Sequence, residues 1–136
     1  MDESTLEEAY RRVLAESRRK GDVLEEAPGT ERRRHPRVRI NRDDLPAELD
    51  PWVFAIDISI SGMALFADDP VEPGGTVTMA LGDQLSVEAE VMRCQEEPPT
   101  APHLPTRYRL HCRFADEEEG MRLLVAIKEL ESGSTA

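Results

Sequence analysis

The chain has 136 residues, with 28 acidic and 17 basic side chains and a formal net charge of −11. That length suits one compact domain with short appendages. The charge repels nucleic acid and anionic membranes, so an anionic partner must be caught by a local basic feature acting within a Debye length of roughly 8 Å.

Ser4-Thr5-Leu6-Glu7 reads as a capping box. Leu6, Tyr10, Val13 and Leu14 follow at helical spacing, with Glu7/Arg11 and Glu8/Arg12 four apart, so an amphipathic helix is predicted over Thr5 to Lys20. Gly21 fits its stop, and the acidic Pro28-Gly29 stretch from Asp22 to Thr30 reads as linker or turn. From Arg37 the period changes to two. In Trp52 to Ser59 the even positions Trp52, Phe54, Ile56 and Ile58 are large and apolar, which assigns them to the core and Asp57 and Ser59 to the outer face. Val77, Met79 and Leu81, then Leu85, Val87, Ala89 and Val91, alternate with polar residues across a predicted Gly82-Asp83 hairpin.

The prolines at 98, 99, 102 and 105 predict an exposed loop from Gln95 to Thr106. Arg107, Arg109, His111 and Arg113 alternate with Tyr108, Leu110, Cys112 and Phe114, a half-buried strand that points Cys112 inward. Cys94 falls on the outward parity of its own strand, so both thiols are expected to be free. The two cysteines and three histidines match no zinc spacing, and no metal site is expected. Asp116 is placed as the cap of a final helix with Glu117 to Glu119 at its positive end and Leu123, Leu124, Val125, Ile127 and Leu130 on its apolar face. Many short strands, no βαβ rhythm and one late helix predict a small, mainly β, antiparallel barrel. The start of the chain lacks a basic, apolar leader and no segment reaches the roughly 18 apolar residues of a membrane span, so the expectation is cytoplasmic, with no membrane partner.

The local basic feature is Glu31 to Ile40, which holds Arg32, Arg33, Arg34, Arg37 and Arg39. Arg33-Arg34-His35-Pro36-Arg37 forms R-x-x-x-R, and Asp57-Ile58-Ser59-Ile60-Ser61-Gly62 forms D-x-S-x-x-G. In that order the two motifs resemble the PilZ domain family, whose members are receptors for cyclic di-GMP. The resemblance implies a six-stranded antiparallel β-barrel with a C-terminal helix over residues 31–131. Residues 1–21 would be an extra N-terminal helix, 22–30 a linker and 132–136 a disordered tail. It also implies a binding site made of Arg32, Arg33, Arg37, Asp57, Ser59 and Gly62. An arginine at position 32, before R-x-x-x-R, implies two stacked ligands per chain rather than one. Ser61 stands where a glycine is frequent in the family.

The residue chemistry agrees with that assignment. A guanidinium pairs bidentately with phosphate or with guanine O6/N7. Asp57 is acceptor-only and complements the guanine N1–H and N2–H₂ edge. Gly62 is expected to turn with positive φ and let the ligand approach the backbone. Asp57 and Ser59 could instead simply cap a turn, and arginine runs are often solvated tails. Ser59, Asp57 and His35 do not make a hydrolytic set, since no G-x-S-x-G elbow or oxyanion hole accompanies them. The reading is therefore a receptor or adaptor without catalytic residues or cofactor, which orders its arginine arm on cyclic di-GMP and presents an altered surface to a downstream protein. The rivals are an adaptor that has lost nucleotide binding, and a nucleic-acid binder using the basic arm, which the net charge disfavours. The apolar stripe of the N-terminal helix must be covered by the barrel, by a second copy in a homo-oligomer, or by a partner.

Overall fold

The computed structural model describes residues 3–24, 35–41, 49–50, 54–81, 85–99 and 101–131. In chain order the elements are α1 (Glu3–Lys20), β1 (Val23–Leu24), β2 (Arg37–Arg39), β3 (Leu49–Asp50) and β4 (Phe54–Ile58). They continue with β5 (Gly62–Ala67), β6 (Thr76–Leu81), β7 (Leu85–Glu97), β8 (Arg107–Phe114) and α2 (Glu117–Glu131). The strands form one antiparallel sheet in the order β1-β2-β4-β5-β8-β7-β6-β3.

The mainly β antiparallel class with a helix at each end is as the sequence predicts, with two differences in detail. The sheet has eight strands, of which β1 and β3 are two residues long, and among the described residues no ladder joins its ends, so it is open rather than a closed barrel. β1 lies in the segment read as linker, where Val23 and Leu24 pair with Val38 and Arg37. Two apolar residues sufficed to add a strand, too short a run for a periodicity argument to detect.

One sheet face supplies the core. Val77, Met79 and Leu81 of β6 face Val87, Ala89 and Val91 of β7, and Leu110, Cys112 and Phe114 of β8 continue the layer to Met63 and Leu65 of β5. α2 adds Leu123, Leu124, Val125 and Ile127, and Asp116 caps it by accepting the Glu119 N–H at 2.9 Å. Gly120 passes so close to the β4–β5 turn that an added Cβ would lie 2.1 Å from the Ile60 carbonyl oxygen.

α1 begins at Glu3, two residues ahead of the predicted Thr5. Its apolar stripe is covered by the chain itself: Leu6, Ala9, Val13 and Leu14 belong to the common core and α1 packs on α2. Gly21 ends the helix with φ +79°. Just beyond it lies a buried ionic cluster with no sequence signature. Lys128 is 7 % exposed and donates to Glu131 Oε1 at 2.6 Å, the Arg39 carbonyl at 2.9 Å and Asp22 Oδ2 at 3.4 Å. Asn41 donates to both carboxylates, which locks the end of β2 to α2 and to the end of α1. Burial raises the Glu131 carboxyl above its ordinary range, against the pull of Lys128 and Asn41.

The hairpin between β6 and β7 forms in the expected register, Leu81 opposite Leu85, with residues 82–84 outside the described set. β7 runs on to Glu97, paired with Arg107, so the proline loop is shorter than predicted and Gln95 to Glu97 are strand. No helix among the described residues is long and apolar enough to cross a membrane.

Candidate ligand-binding site

β2 and β4 bring the two sequence motifs together. Arg39 lies opposite Asp57 and Val38 opposite Ile58, so Arg37, Arg39, Asp57 and Ser59 share the face turned away from Val38 and Ile58. Arg37 Nη1 stands 3.3 Å from Asp57 Oδ1. The last residue of R-x-x-x-R is thus ion-paired with the first of D-x-S-x-x-G. Arg32 and Arg33, the other two arginines assigned to the site, lie outside the described residues.

Face and exposure part company here. Asp57 and Ser59 occupy the predicted face, yet they are 2 % and 5 % exposed rather than open to solvent. Arg37 lies against Asp57, and Ser59 is enclosed by its own turn. The Ser59 N–H donates to the Gly62 carbonyl at 2.8 Å, and Ser59 Oγ lies 3.0 Å from Ser61 Oγ while accepting the Ser61 N–H at 3.3 Å. Ser59 is therefore the turn-closing residue that the simpler reading allowed. Ser61, at the family's frequent glycine position, takes part through its hydroxyl.

Gly62 corrects the expectation of a positive φ: among the described residues only Gly21 and Gly74 adopt one. A Cβ on Gly62 would lie 2.2 Å from the Cys112 carbonyl oxygen, so glycine is required by the closeness of β8 and not by turn conformation. His35, inside R-x-x-x-R, places Nε2 2.9 Å from Glu117 Oε2 at the start of α2.

β5, β8 and β7 extend this face. From β4 the pairing continues from Asp57 to Ala64, from Ala64 to His111 and from His111 to Arg93. Burial lowers the His111 pKa below the ordinary imidazole value, with Arg109, Arg37 and Arg93 pushing the same way and Asp57 opposing. Next along β8, Arg109 lies opposite Phe66 and Gln95, and Arg107 places its guanidinium carbon 5.9 Å from the Phe66 ring centroid. Sequence reasoning recorded the basic alternation along β8 but assigned it no role. It missed Arg93 because a regular β7 would carry that residue inward.

The cysteines are both free, as expected. Burial pushes the Cys112 thiol up to about 11, which makes it a core residue rather than a nucleophile. Cys94 departs from its predicted outward parity. A register shift between Val91 and Arg93 turns it toward the core, opposite Leu110. Among the described residues no group of three or more potential ligands could hold a metal ion. A groove of about 600 Å³ runs between α1 and α2, lined by Arg12, Ser17 and Lys128 among others, and it shares no residue with the motif site.

The family model of the PilZ domain matches residues 31–129. The chain belongs to the PilZ domain family. No curated protein matches it. Among solved structures, the PilZ domain with c-di-GMP of YcgR from Escherichia coli is similar at 16 % identity and a TM-score of 0.53, over 78 % of this chain and all of that one. MrkH, described as a c-di-GMP-dependent transcription regulatory factor, is similar at 16 % identity and a TM-score of 0.47, over 71 % of this chain and 51 % of that one. At 16 % identity the likeness to the YcgR domain is one of fold.

Proposed function

We propose that this PilZ domain is a receptor for cyclic di-GMP that performs no chemistry and reports the ligand through a changed protein-interaction surface. The observation that carries the reading is the 3.3 Å ion pair between Arg37 and Asp57, which unites the two motifs on one face of the sheet. Membership of the family and the ligand named for the YcgR domain support the same chemistry.

Arg32, Arg33 and Arg37 supply guanidinium forks for phosphate oxygens and guanine O6/N7. Asp57 is too enclosed to meet a base while Arg37 lies on it, so its first role is to hold the Arg37 fork. Its second, as acceptor of the guanine N1–H and N2–H₂ edge, follows when Arg37 turns to the ligand. Ser59 and Gly62 set the hairpin beneath them. His35 within the arm and Arg39 at its far end are tied to α2, through Glu117 and Lys128, so arm ordering is felt at that helix. Four arginines at 32, 33, 34 and 37 match the charge of a stacked ligand pair, and we assign two molecules per chain.

Calorimetric titration with cyclic di-GMP, GMP and a short DNA duplex tests this. Cyclic di-GMP alone should saturate, at two per chain, and Arg32→Leu should lower the count toward one. Absence of cyclic di-GMP binding refutes the receptor reading, and saturation of the native protein at one refutes the stoichiometry.

A further inference from the structure

Two β-bulges mark one row of the sheet. Register shifts occur between Ala55 and Asp57 in β4 and between Val91 and Arg93 in β7, and the residues just after them, Asp57 and Arg93, close the row Asp57–Ala64–His111–Arg93 at its two ends. The second bulge has a clear effect. Up to it the odd positions of β7 are core, with Val87, Ala89 and Val91 at 2 %, 2 % and 0 % exposure. A regular strand would bury Arg93 next; the extra residue, Met92, sends it outward beside His111 instead. Bulges that re-aim a side chain are frequent next to functional sites.

The face so built is basic on a strongly acidic chain. Arg37, Arg93 and Arg109 act on His111 with only Asp57 opposing them, and Ala64, between Asp57 and His111 in the row, is 0 % exposed. Arg109 Nε is buried without a hydrogen-bond partner among the described residues. A buried donor of that kind is costly unless something accepts from it. Glu90, by contrast, is already engaged by Arg113 on the row below.

We propose that Arg93, Arg109 and His111 form a second half of the ligand site, which receives a phosphodiester of cyclic di-GMP across the sheet from the Arg37–Asp57 pair. This rests on the receptor reading above and specifies how far the ligand extends. Arg93 and Arg109 donate to the phosphate oxygens, and His111 lies beneath them. The charged groups around His111 are Arg37 from β2, Asp57 from β4, Arg93 from β7 and Arg109 from β8; burial first and the three guanidiniums second lower its pKa, with Asp57 opposing. A phosphodiester stays anionic throughout the imidazole range, so its arrival offsets the guanidinium charges and favours protonated His111. Binding therefore takes up a proton, and affinity rises as pH falls from 7.5 to 5.5.

The experiment is calorimetric titration of the full chain with cyclic di-GMP at pH 7.5 and 5.5, using the native protein, Arg93→Gln, Arg109→Gln and His111→Gln, with each fold checked by circular dichroism. Arg93 is exposed, so Arg93→Gln leaves the core untouched even if Arg109→Gln does not fold. Arg93→Gln is expected to weaken binding about tenfold or more at pH 7.5. The native protein should bind several-fold more tightly at pH 5.5, and His111→Gln should flatten that dependence. Native binding with Arg93→Gln unchanged, or with the same pH dependence in His111→Gln, overturns this proposal and leaves the receptor reading standing. No binding by the native protein at either pH overturns both.

Discussion

Replacing Arg37 and Asp57 by alanine, singly and together, separates their bond to each other from their work on a ligand. At 3.3 Å the gross attraction is about 5 kcal/mol for an effective dielectric of 20. Holding the arginine side chain costs up to about 2 kcal/mol, and desolvating a carboxylate whose side chain is 3 % exposed removes more. Because Arg37 remains 20 % exposed, the net coupling should fall below that of a fully buried pair, at about 1–3 kcal/mol. Urea unfolding of the four proteins gives this coupling as the double-mutant interaction term. A value under about 0.5 kcal/mol, typical of exposed pairs, would show that the bond does not organise the site. The same four proteins carry the functional test. If Asp57 acts mainly by holding Arg37, the double variant should lose no more cyclic di-GMP affinity than Arg37→Ala alone. Additive losses would instead make the two residues independent contacts.

Two further substitutions probe the frame around the site. Lys128→Met strands Asp22 and Glu131 as buried carboxylates and should cost about 3–5 kcal/mol in urea unfolding, with part restored by adding Glu131→Gln; an unchanged midpoint would mean that the cluster is solvated. Gly62→Ala sets a methyl 2.2 Å from the Cys112 carbonyl and should destabilise by roughly 1–3 kcal/mol, with faster amide exchange where β5 meets β8; native-like exchange would refute the close approach.

The features legible in the sequence are those that repeat or that cap. Period-two runs located β6, β7 and β8, and Asp116 located the start of α2, because each pattern states its own burial or hydrogen bond over several residues. The motif pair was legible for a different reason, since it joins a basic run to a turn in a fixed order. What escaped depends on interruptions of a period or on distant partners. A bulge adds a single residue without any compositional mark, so the strict alternation applied to 52–59 and 85–94 failed at Ile56 and Met92, and with it the facing of Cys94 and Arg93. The Lys128 cluster joins residues as far apart as 22 and 128, and nothing local to either names the other. Exposure was the subtler loss. Parity told which face Asp57 occupies, but its burial there is set by tertiary neighbours, among them Arg37, which the pairing of β2 with β4 brings to it. A side chain's face is thus a local property of the chain, while its access to a ligand is a property of the sheet, and on this sheet the two bulges are what relate Asp57 to Arg93.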